Sequence, residues 1–290
     1  MNESNLFVGP FIEFGFMRQA LLGCIALALS AAPVGVFLML RRMSLMGDAM
    51  AHAILPGAAI GYLLFGLSLA AMTVGGIVAG LAVAIGAGLV SRNTLIREDT
   101  SLAAFYLISL SLGVLIVSVR GNNVDLLHVL FGSVLALDGS ALTLLWVITG
   151  VTLATLFLIR RPLALECLDP GFLRQVSGLG AEAHVGFLAL LVINLVAGFH
   201  ALGTLMAVGI MVLPAASARF WVRRLGPLVA VATGIALCTS IAGLLLSYHA
   251  DWPTSPVIVL GLGGVYLLSM AFAPRGVLRQ RPTGPRHLRA

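Results

Sequence analysis

The chain has 290 residues, of which 60% are hydrophobic and 10% are charged, and its mean hydropathy is +1.07. Soluble domains carry about 25% charged residues, so this composition excludes an ordinary soluble protein and indicates a polytopic membrane protein in contact with lipid. The formal net charge of +6 comes from arginines at the ends of apolar segments, so it does not indicate binding to nucleic acid.

Apolar segments long enough to cross the roughly 30 Å hydrocarbon core of a bilayer recur along the chain and predict an all-α membrane bundle. The bundle has eight or nine spans, because the seventh segment is short and contains Pro214, which is typical of a broken or re-entrant segment. Residues 1–274 form one transmembrane domain, and the Pro-rich residues 275–290 are expected to be a disordered cytoplasmic tail. The segments lie at about 17–40, 45–66, 69–91, 101–119, 141–159, 184–202, 204–219, 226–248 and 256–273.

The arginines predict the orientation of the spans. If all nine segments cross, Arg18 and Arg120 fall on one face and the other arginines fall on the opposite face. Because Lys and Arg collect on the cytoplasmic side of a membrane, we expect the C-terminus inside the cell and the N-terminus outside.

The second segment contains an acidic and an imidazole side chain four residues apart, Asp48 and His52. This spacing places both on one face of a helix, and a carboxylate in a membrane span is costly enough to mark a candidate functional site. Carboxylate oxygen and imidazole nitrogen are ligands for divalent metals such as zinc or manganese. The alternative is a His–Asp hydrogen bond across one helical turn that stabilises packing alone.

Small residues recur at every fourth position of the third segment, at Gly76, Gly80, Ala84 and Gly88. Such a pattern lets the backbones of neighbouring helices approach closely. It predicts tight helix packing and says nothing about a substrate.

Three further residues on the predicted outer side are secondary candidates for metal ligands. Asp125 and His128 follow the fourth segment at a spacing of three, and His200 lies at the outer end of the sixth. The alternatives are a surface that meets a binding protein for the first two residues and a packing or interfacial histidine for the third.

The longest polar interruption, residues 160–183, is predicted to be a cytoplasmic loop that carries a short helix. Asp169 can cap a helix that begins at Pro170, and Gly178 can end it. Phe172 is then a large apolar side chain on a polar cytoplasmic segment. The helix is either a docking element for another protein or a connector that lies on its own bundle.

Several of these segments together resemble the membrane permeases of metal-ion ABC importers, the zinc/manganese/iron class. The resemblance covers essentially the whole chain, with its motifs in the family's order. Those motifs are Arg41-Arg42-Met43-Ser44, Gly47-Asp48, Ala51-His52, Pro56-Gly57, Asp169-Pro170-x-Phe172 followed by Gly178, and Leu213-Pro214-Ala215-Ala216-x-Ala218-Arg219.

The resemblance implies a type II ABC importer permease fold in the bacterial cytoplasmic (inner) membrane. It also implies a second copy of the chain, cytoplasmic ATP-binding subunits and an extracytoplasmic metal-binding protein as partners. Asp48 and His52 would lie on the metal path. The segment that docks on the ATP-binding subunit would contain Asp169, Pro170, Phe172, Arg174 and Gly178.

The chain itself is expected to be a non-hydrolytic subunit rather than an enzyme, because it has no Gly-x-x-x-x-Gly-Lys-Ser/Thr sequence for nucleotide. No permanently bound cofactor is expected, and the transported ion is zinc or manganese, with iron a further option. Affinity for an Asp/His site rises toward zinc, which favours zinc. On a two-fold axis, two copies would bring together two aspartates and two histidines, up to four ligands.

Two other classes of protein fit the sequence less well. A proton-coupled secondary metal transporter would place Asp and His in a span, but it would normally show more intramembrane acids than Asp48. An intramembrane metal enzyme would need a ligand set with a general base, and the sequence has no His-Glu-x-x-His.

Overall fold

The computed structural model describes residues 9–43, 45–66, 68–94, 98–119, 137–168 and 179–277, and the regular secondary structure within these ranges is helical. Ten helices of eight or more residues are numbered here in chain order. They are α1 (Gly15–Leu40), α2 (Met46–Ala53), α3 (Leu55–Phe65), α4 (Leu69–Asn93), α5 (Glu98–Val119), α6 (Gly139–Leu168), α7 (Leu179–Leu202), α8 (Thr204–Trp221), α9 (Leu225–Ala250) and α10 (Thr254–Phe272).

Within the described residues, nine helical segments are long and apolar enough to cross a membrane, with α2 and α3 together forming the second. The predicted all-α membrane bundle is therefore confirmed. The seventh segment is not broken, because α8 runs as one 18-residue helix with Pro214 inside it. A helix of this length extends about 27 Å, which is close to the thickness of the hydrocarbon core.

The polar interruption after the fifth span is shorter than predicted. Helix α6 continues past residue 159 to Leu168, and α7 already begins at Leu179. The helix continues through Pro162, because the residues that follow, Leu-Ala-Leu-Glu, are good helix formers and because Leu163 is fully buried in the bundle. Residues 160–168 and 179–183 of the predicted cytoplasmic loop are thus helical, and its location stays a prediction. Its central part, residues 169–178, lies outside the described residues, as does the tail from residue 278.

Helices α1 and α7 form the centre of the bundle and are the most buried of the nine spans. Helix α1 packs against α6, α7, α8 and α9, while α7 also packs against α4. The second span lies beside this centre, with α2 and α3 in contact with α4 and α5. The candidate residues of the second span are thus held by helices on several sides.

The connection between α7 and α8 is a single residue, Gly203, whose backbone has φ 91° and ψ 157°. This conformation is accessible essentially to glycine alone. The two helices then turn back on each other so closely that a Cβ atom on Gly198 would crowd the side chain of Ala207. Spans six and seven are therefore a tight helical hairpin.

The small residues of α4 do not all pack in the same way. A Cβ atom on Gly76 would meet Ile54 and Val196, and a Cβ atom on Gly80 would meet Ile54 and Val192. This part of the stripe lies between α7 and the junction of α2 with α3. At these two positions, only a glycine leaves room for the neighbouring branched side chains.

Gly88 departs from the predicted packing stripe. No described atom lies within 4 Å of the position that a Cβ atom would take there. Instead, Gly88 and Ala84 border a shallow groove of about 60 Å³ beside His184 at the start of α7. The helices diverge at this end, so the small residue meets open space.

Candidate functional site

The second span is positioned by a tight turn after α1. The N–H of Arg42 donates to the carbonyl of Met39 at 3.0 Å, and the N–H of Met43 donates to the carbonyl of Leu38 at 3.1 Å. This pair of bonds is a Schellman motif, and its left-handed position is taken by Arg42 with φ 60°. A non-glycine residue in this conformation costs about 1–2 kcal/mol. The N–H of Met46, the first residue of α2, then donates to the carbonyl of Met43 at 2.9 Å, which joins the turn to α2.

The second span has a break in its hydrogen-bond pattern just after the candidate pair. Pro56 has no N–H, so the carbonyl of His52 loses the helical hydrogen bond that residue 56 would normally donate. The hydrogen-bond pattern of the helix is therefore interrupted at Ile54, although Ile54 keeps helical dihedral angles of φ −73° and ψ −29°. Two outside contacts hold the break in place. Ser109 of α5 donates to the carbonyl of Ala53 at 2.9 Å, and Ile54 is fully enclosed.

Asp48 and His52 lie on the same face of α2, as their spacing predicts. The distance from Asp48 Oδ1 to His52 Nε2 is 3.8 Å, which is too long for a hydrogen bond. The alternative in which the two side chains bond to each other across one turn is therefore not observed. The Asp48 side chain is 70% exposed and that of His52 is 36% exposed, so the pair opens onto a surface of the single chain.

The separation of the two donor atoms is compatible with a shared metal ion. Two metal–ligand bonds of about 2.1 Å each span up to about 4.2 Å, which exceeds the 3.8 Å between Asp48 Oδ1 and His52 Nε2. Among the described residues, His52 Nδ1 is buried without a hydrogen-bond partner. The pair supplies two ligands, and no group of three or more His, Cys, Asp or Glu side chains that could hold a metal occurs in the described part of the chain.

The structure does not bring His200 to this pair. Its Nδ1 bonds to the carbonyl of Val196 at 2.9 Å, and its Nε2 is buried with no partner among the described residues. Gly76 faces both Ile54 and Val196, so these two residues are level. Asp48 precedes Ile54 by six residues and His200 follows Val196 by four. At 1.5 Å per residue, His200 is about 15 Å from Asp48 and about 9 Å from His52 along the helix axes.

The other predicted site residues cannot be compared with the geometry of this pair. They lie outside the described residues: Asp125, His128, Asp169, Pro170, Phe172, Arg174 and Gly178. The roles expected for them therefore stay predictions.

The structure also shows a buried ionic cluster that the sequence analysis missed. Arg41 Nη2 lies 2.7 Å from Glu166 Oε1 and is also bonded to His184 Nδ1. The guanidinium carbon lies 5.1 Å from the centre of the Phe187 ring. The only signal in the sequence was that all three ionisable residues lie near the ends of spans, and that alone does not show which spans are neighbours.

The cluster agrees with the predicted crossings of spans one to six, which put its three residues on one face of the membrane. It joins the end of the first span to the end of the fifth and the beginning of the sixth. In a nine-span protein with its N-terminus outside, these three points all lie on the cytoplasmic face.

Comparison with known proteins extends these observations. Residues 13–273 match the ABC 3 transport family. The chain is 32% identical to the manganese transport system membrane protein MntC of Halalkalibacterium halodurans, over 99% of this chain and 97% of the relative. It is 29% identical to the chelated iron transport system membrane protein YfeD of Yersinia pestis, over 95% of this chain and 91% of the relative.

A solved structure shows the same architecture. The structure of PsaBC from Streptococcus pneumoniae in complex with Fab superposes with a TM-score of 0.82 at 29% identity, covering 93% of this chain and 96% of the other. The resemblance drawn from the sequence motifs is thus confirmed. The chain belongs to the ABC 3 transport family and is one of its multi-pass permeases of the bacterial inner membrane.

Proposed function

We propose that this chain is the permease subunit of an ATP-driven importer of a divalent transition metal ion and that Asp48 and His52 line the path of the ion. The observation that carries the proposal is the pair itself. A carboxylate and an imidazole lie 3.8 Å apart on a membrane-spanning helix, unbonded to each other and open to one surface. An exposed carboxylate in a span needs a cation, water or a partner protein beside it.

A second copy of the chain would complete the ligand set. Two-fold symmetry pairs each surface with itself, so two copies that meet at α2 would contribute two carboxylates and two imidazoles. The exposure of Asp48 on the single chain supports this arrangement, because pairing would remove that carboxylate from lipid. The ion must also leave, so the four donors are expected to hold it in one conformation and release it in another.

Among the possible ions, we propose manganese first and iron second. The relatives described above are named for manganese and for chelated iron, whereas the preference for zinc rested on general ligand affinity alone. Carboxylate oxygen suits manganese, and imidazole is acceptable to all three metals. Selectivity would then depend on the extracytoplasmic binding protein as well as on this pair.

Energy would come from separate ATP-binding subunits on the cytoplasmic face. The chain contains no lysine and hence no phosphate-binding Gly-x-x-x-x-Gly-Lys-Ser/Thr loop. Membership of an ABC transport family supports ATP hydrolysis by a separate subunit. The segment around Phe172 is the proposed docking element for those subunits.

The test is metal uptake by cells that lack the chain and are complemented with variants. We expect Asp48→Asn and His52→Ala each to abolish uptake of manganese at normal expression. Asp251→Asn and His249→Ala are matched controls, because His249 is in the last turn of α9, Asp251 caps this helix, and both residues are exposed. Near-normal uptake by both Asp48→Asn and His52→Ala would overturn the metal path. Uptake that needs a proton gradient but no ATP would favour a secondary transporter instead.

A further inference from the structure

We propose that Arg41 is a positioning residue that couples the ATP-binding side of the permease to the metal path. The inference rests on the proposed function, because it assigns to one side chain the link between segment 169–178 and helix α2. The observation behind it is the contact of one guanidinium with both helices that flank this segment.

The contacts are short and enclosed. Arg41 Nη2 bonds to Glu166 Oε1 at 2.7 Å and to His184 Nδ1, while Glu166 Oε1 and His184 Nδ1 are 3.6 Å apart. The side chains of Arg41 and Glu166 are 8% and 11% exposed. In such an enclosed place an ionic contact is screened little by salt. The ionic contact is therefore strong, and if Glu166 or His184 moves, the guanidinium of Arg41 is pulled with it.

The three residues lie close in sequence to the two segments that the proposal connects. Glu166 lies three residues before segment 169–178, and His184 lies six residues after it. On the other side, Arg41 is the C-cap of α1 and precedes Asp48 by seven residues. The cluster thus ties both ends of the proposed docking segment to the turn that leads into the metal-path helix.

The turn is well suited to transmit movement. The two Schellman hydrogen bonds of Arg42 and Met43 close it on the last turn of α1, and Met43 itself is buried. A Cβ atom on Gly47, near the start of α2, would lie 3.6 Å from the side chain of Leu38 and 3.9 Å from that of Met211. The N–H of Met46, the first residue of α2, donates to the carbonyl of Met43 at 2.9 Å, so a shift at Arg41 is passed from the turn to the helix that carries Asp48.

Stability alone does not account for the cluster. Replacing a buried ion pair by apolar residues is often neutral or stabilising, so three ionisable groups are not required to join these helices. In addition, Arg41 Nη1 and Glu166 Oε2 are buried with no hydrogen-bond partner among the described residues. A cluster with spare donors and acceptors can exchange partners when the helices move, which is what a coupling contact needs.

The experiment uses the complete transporter, permease with ATP-binding subunits and binding protein, in proteoliposomes. Three quantities are measured for each variant: thermal stability, ATP hydrolysis and manganese ions imported per ATP. The variants are Arg41→Gln, Arg41→Lys and the double variant Arg41→Gln/Glu166→Gln. The matched control is Arg161→Gln, because Arg161 is an exposed arginine on the same helix as Glu166.

We expect Arg41→Gln to lower the number of ions imported per ATP by at least about fivefold, the lower end of typical coupling between sites. Arg41→Lys should recover part of this ratio, and Arg161→Gln should behave like the parent. The double variant removes the uncompensated carboxylate that Arg41→Gln leaves behind, so it should recover thermal stability while the ratio stays low.

Two results would overturn the inference. One is a double variant in which the transport ratio returns together with stability, because the cluster would then be structural only. The other is an unchanged ratio in Arg41→Gln. Failure of the proposed function is seen separately, since in that case the parent transporter itself would not import manganese with ATP.

Discussion

The backbones of Gly57 in α3 and Gly75 in α4 are in direct contact, so that a Cβ atom on either residue would overlap the carbonyl oxygen of the other. This contact presses the two helices together one turn beyond the break that follows His52. A glycine pair of this kind is typical of helices that pack closely in membranes.

The Gly57–Gly75 contact predicts opposite outcomes for two alanine substitutions in the same helix. Gly75→Ala should destabilise the permease by about 1–3 kcal/mol, because overpacking forces the helices apart. Gly88→Ala meets open space and should be neutral or slightly stabilising, since alanine favours a helix over glycine. Thermal unfolding of both purified variants in detergent measures the difference. Equal stability of the two variants would contradict the observed packing.

A second prediction concerns the beginning of α6. Asp138 Oδ2 accepts a hydrogen bond from the Ser140 hydroxyl at 2.6 Å, and Oδ1 accepts one from the Ala141 N–H at 2.8 Å. These two bonds, that from Ser140 first, lower the pKa of the Asp138 carboxyl below its ordinary value. Asp138→Ala should therefore cost about 0.5–2 kcal/mol at neutral pH through loss of the helix cap.

The lowered pKa of Asp138 also gives this effect a pH dependence. A carboxyl whose pKa is lower in the folded state stabilises the protein above its unfolded pKa, and this contribution is lost as the pH falls through the folded pKa. The difference between the parent and Asp138→Ala should shrink in acid. Asp138→Asn is the control, because asparagine also caps helices but does not titrate. A gap between parent and Asp138→Ala that stays constant into acid would contradict the assignment.

A third prediction concerns the docking segment. Phe172→Ala should weaken association with the ATP-binding subunit by about 2 kcal/mol or more, because large apolar anchors dominate interface energies. Co-purification of the two subunits, together with ATP-dependent uptake in vesicles, measures this. Phe272→Ala is the control, since Phe272 is an exposed phenylalanine at the end of α10. If the Phe172→Ala permease retains its partner and transports normally, the segment around Phe172 only connects two spans and is not a docking element.

A fourth prediction tests the orientation of the spans and the seventh span in particular. Reporters fused after Arg174 and after Arg223 should be cytoplasmic, whereas those fused after Asn123 and after Asp251 should lie outside. The fusions after Arg223 and Asp251 lie on either side of α9. If α8 does not cross the membrane, both of them exchange sides. Labelling of the Arg223 fusion from the outside would show that the protein has eight membrane spans.

Hydropathy predicted the spans well because crossing a bilayer requires about twenty apolar residues whatever their packing. It failed at the end of α6, where the helix continues beyond the apolar run through Arg160 and Arg161. The end of the hydrophobic stretch and the end of the helix have different physical causes. Hydropathy reports the first, whereas helix propensity and the burial of Leu163 decide the second.

The candidate site was predicted in part, for a similar reason. A spacing of four residues is enough to place Asp48 and His52 on one face, since it depends on a single helix. The contact of Arg41 with Glu166 and His184 depends on which spans are neighbours, and no local pattern carries that information. The same holds for the stripe in α4, where Gly80 is enclosed and Gly88 is open although both have the same spacing.

The single-residue connection at Gly203 has a consequence for biosynthesis. Span seven has a mean hydropathy of 1.4, against 2.2 for span six, so it is the weaker candidate to leave the translocon for lipid by itself. Because one residue separates the two helices, neither can be released far ahead of the other. We therefore expect them to enter the bilayer as a preformed pair. In this pair, the more hydrophobic span six promotes the insertion of the less hydrophobic span seven.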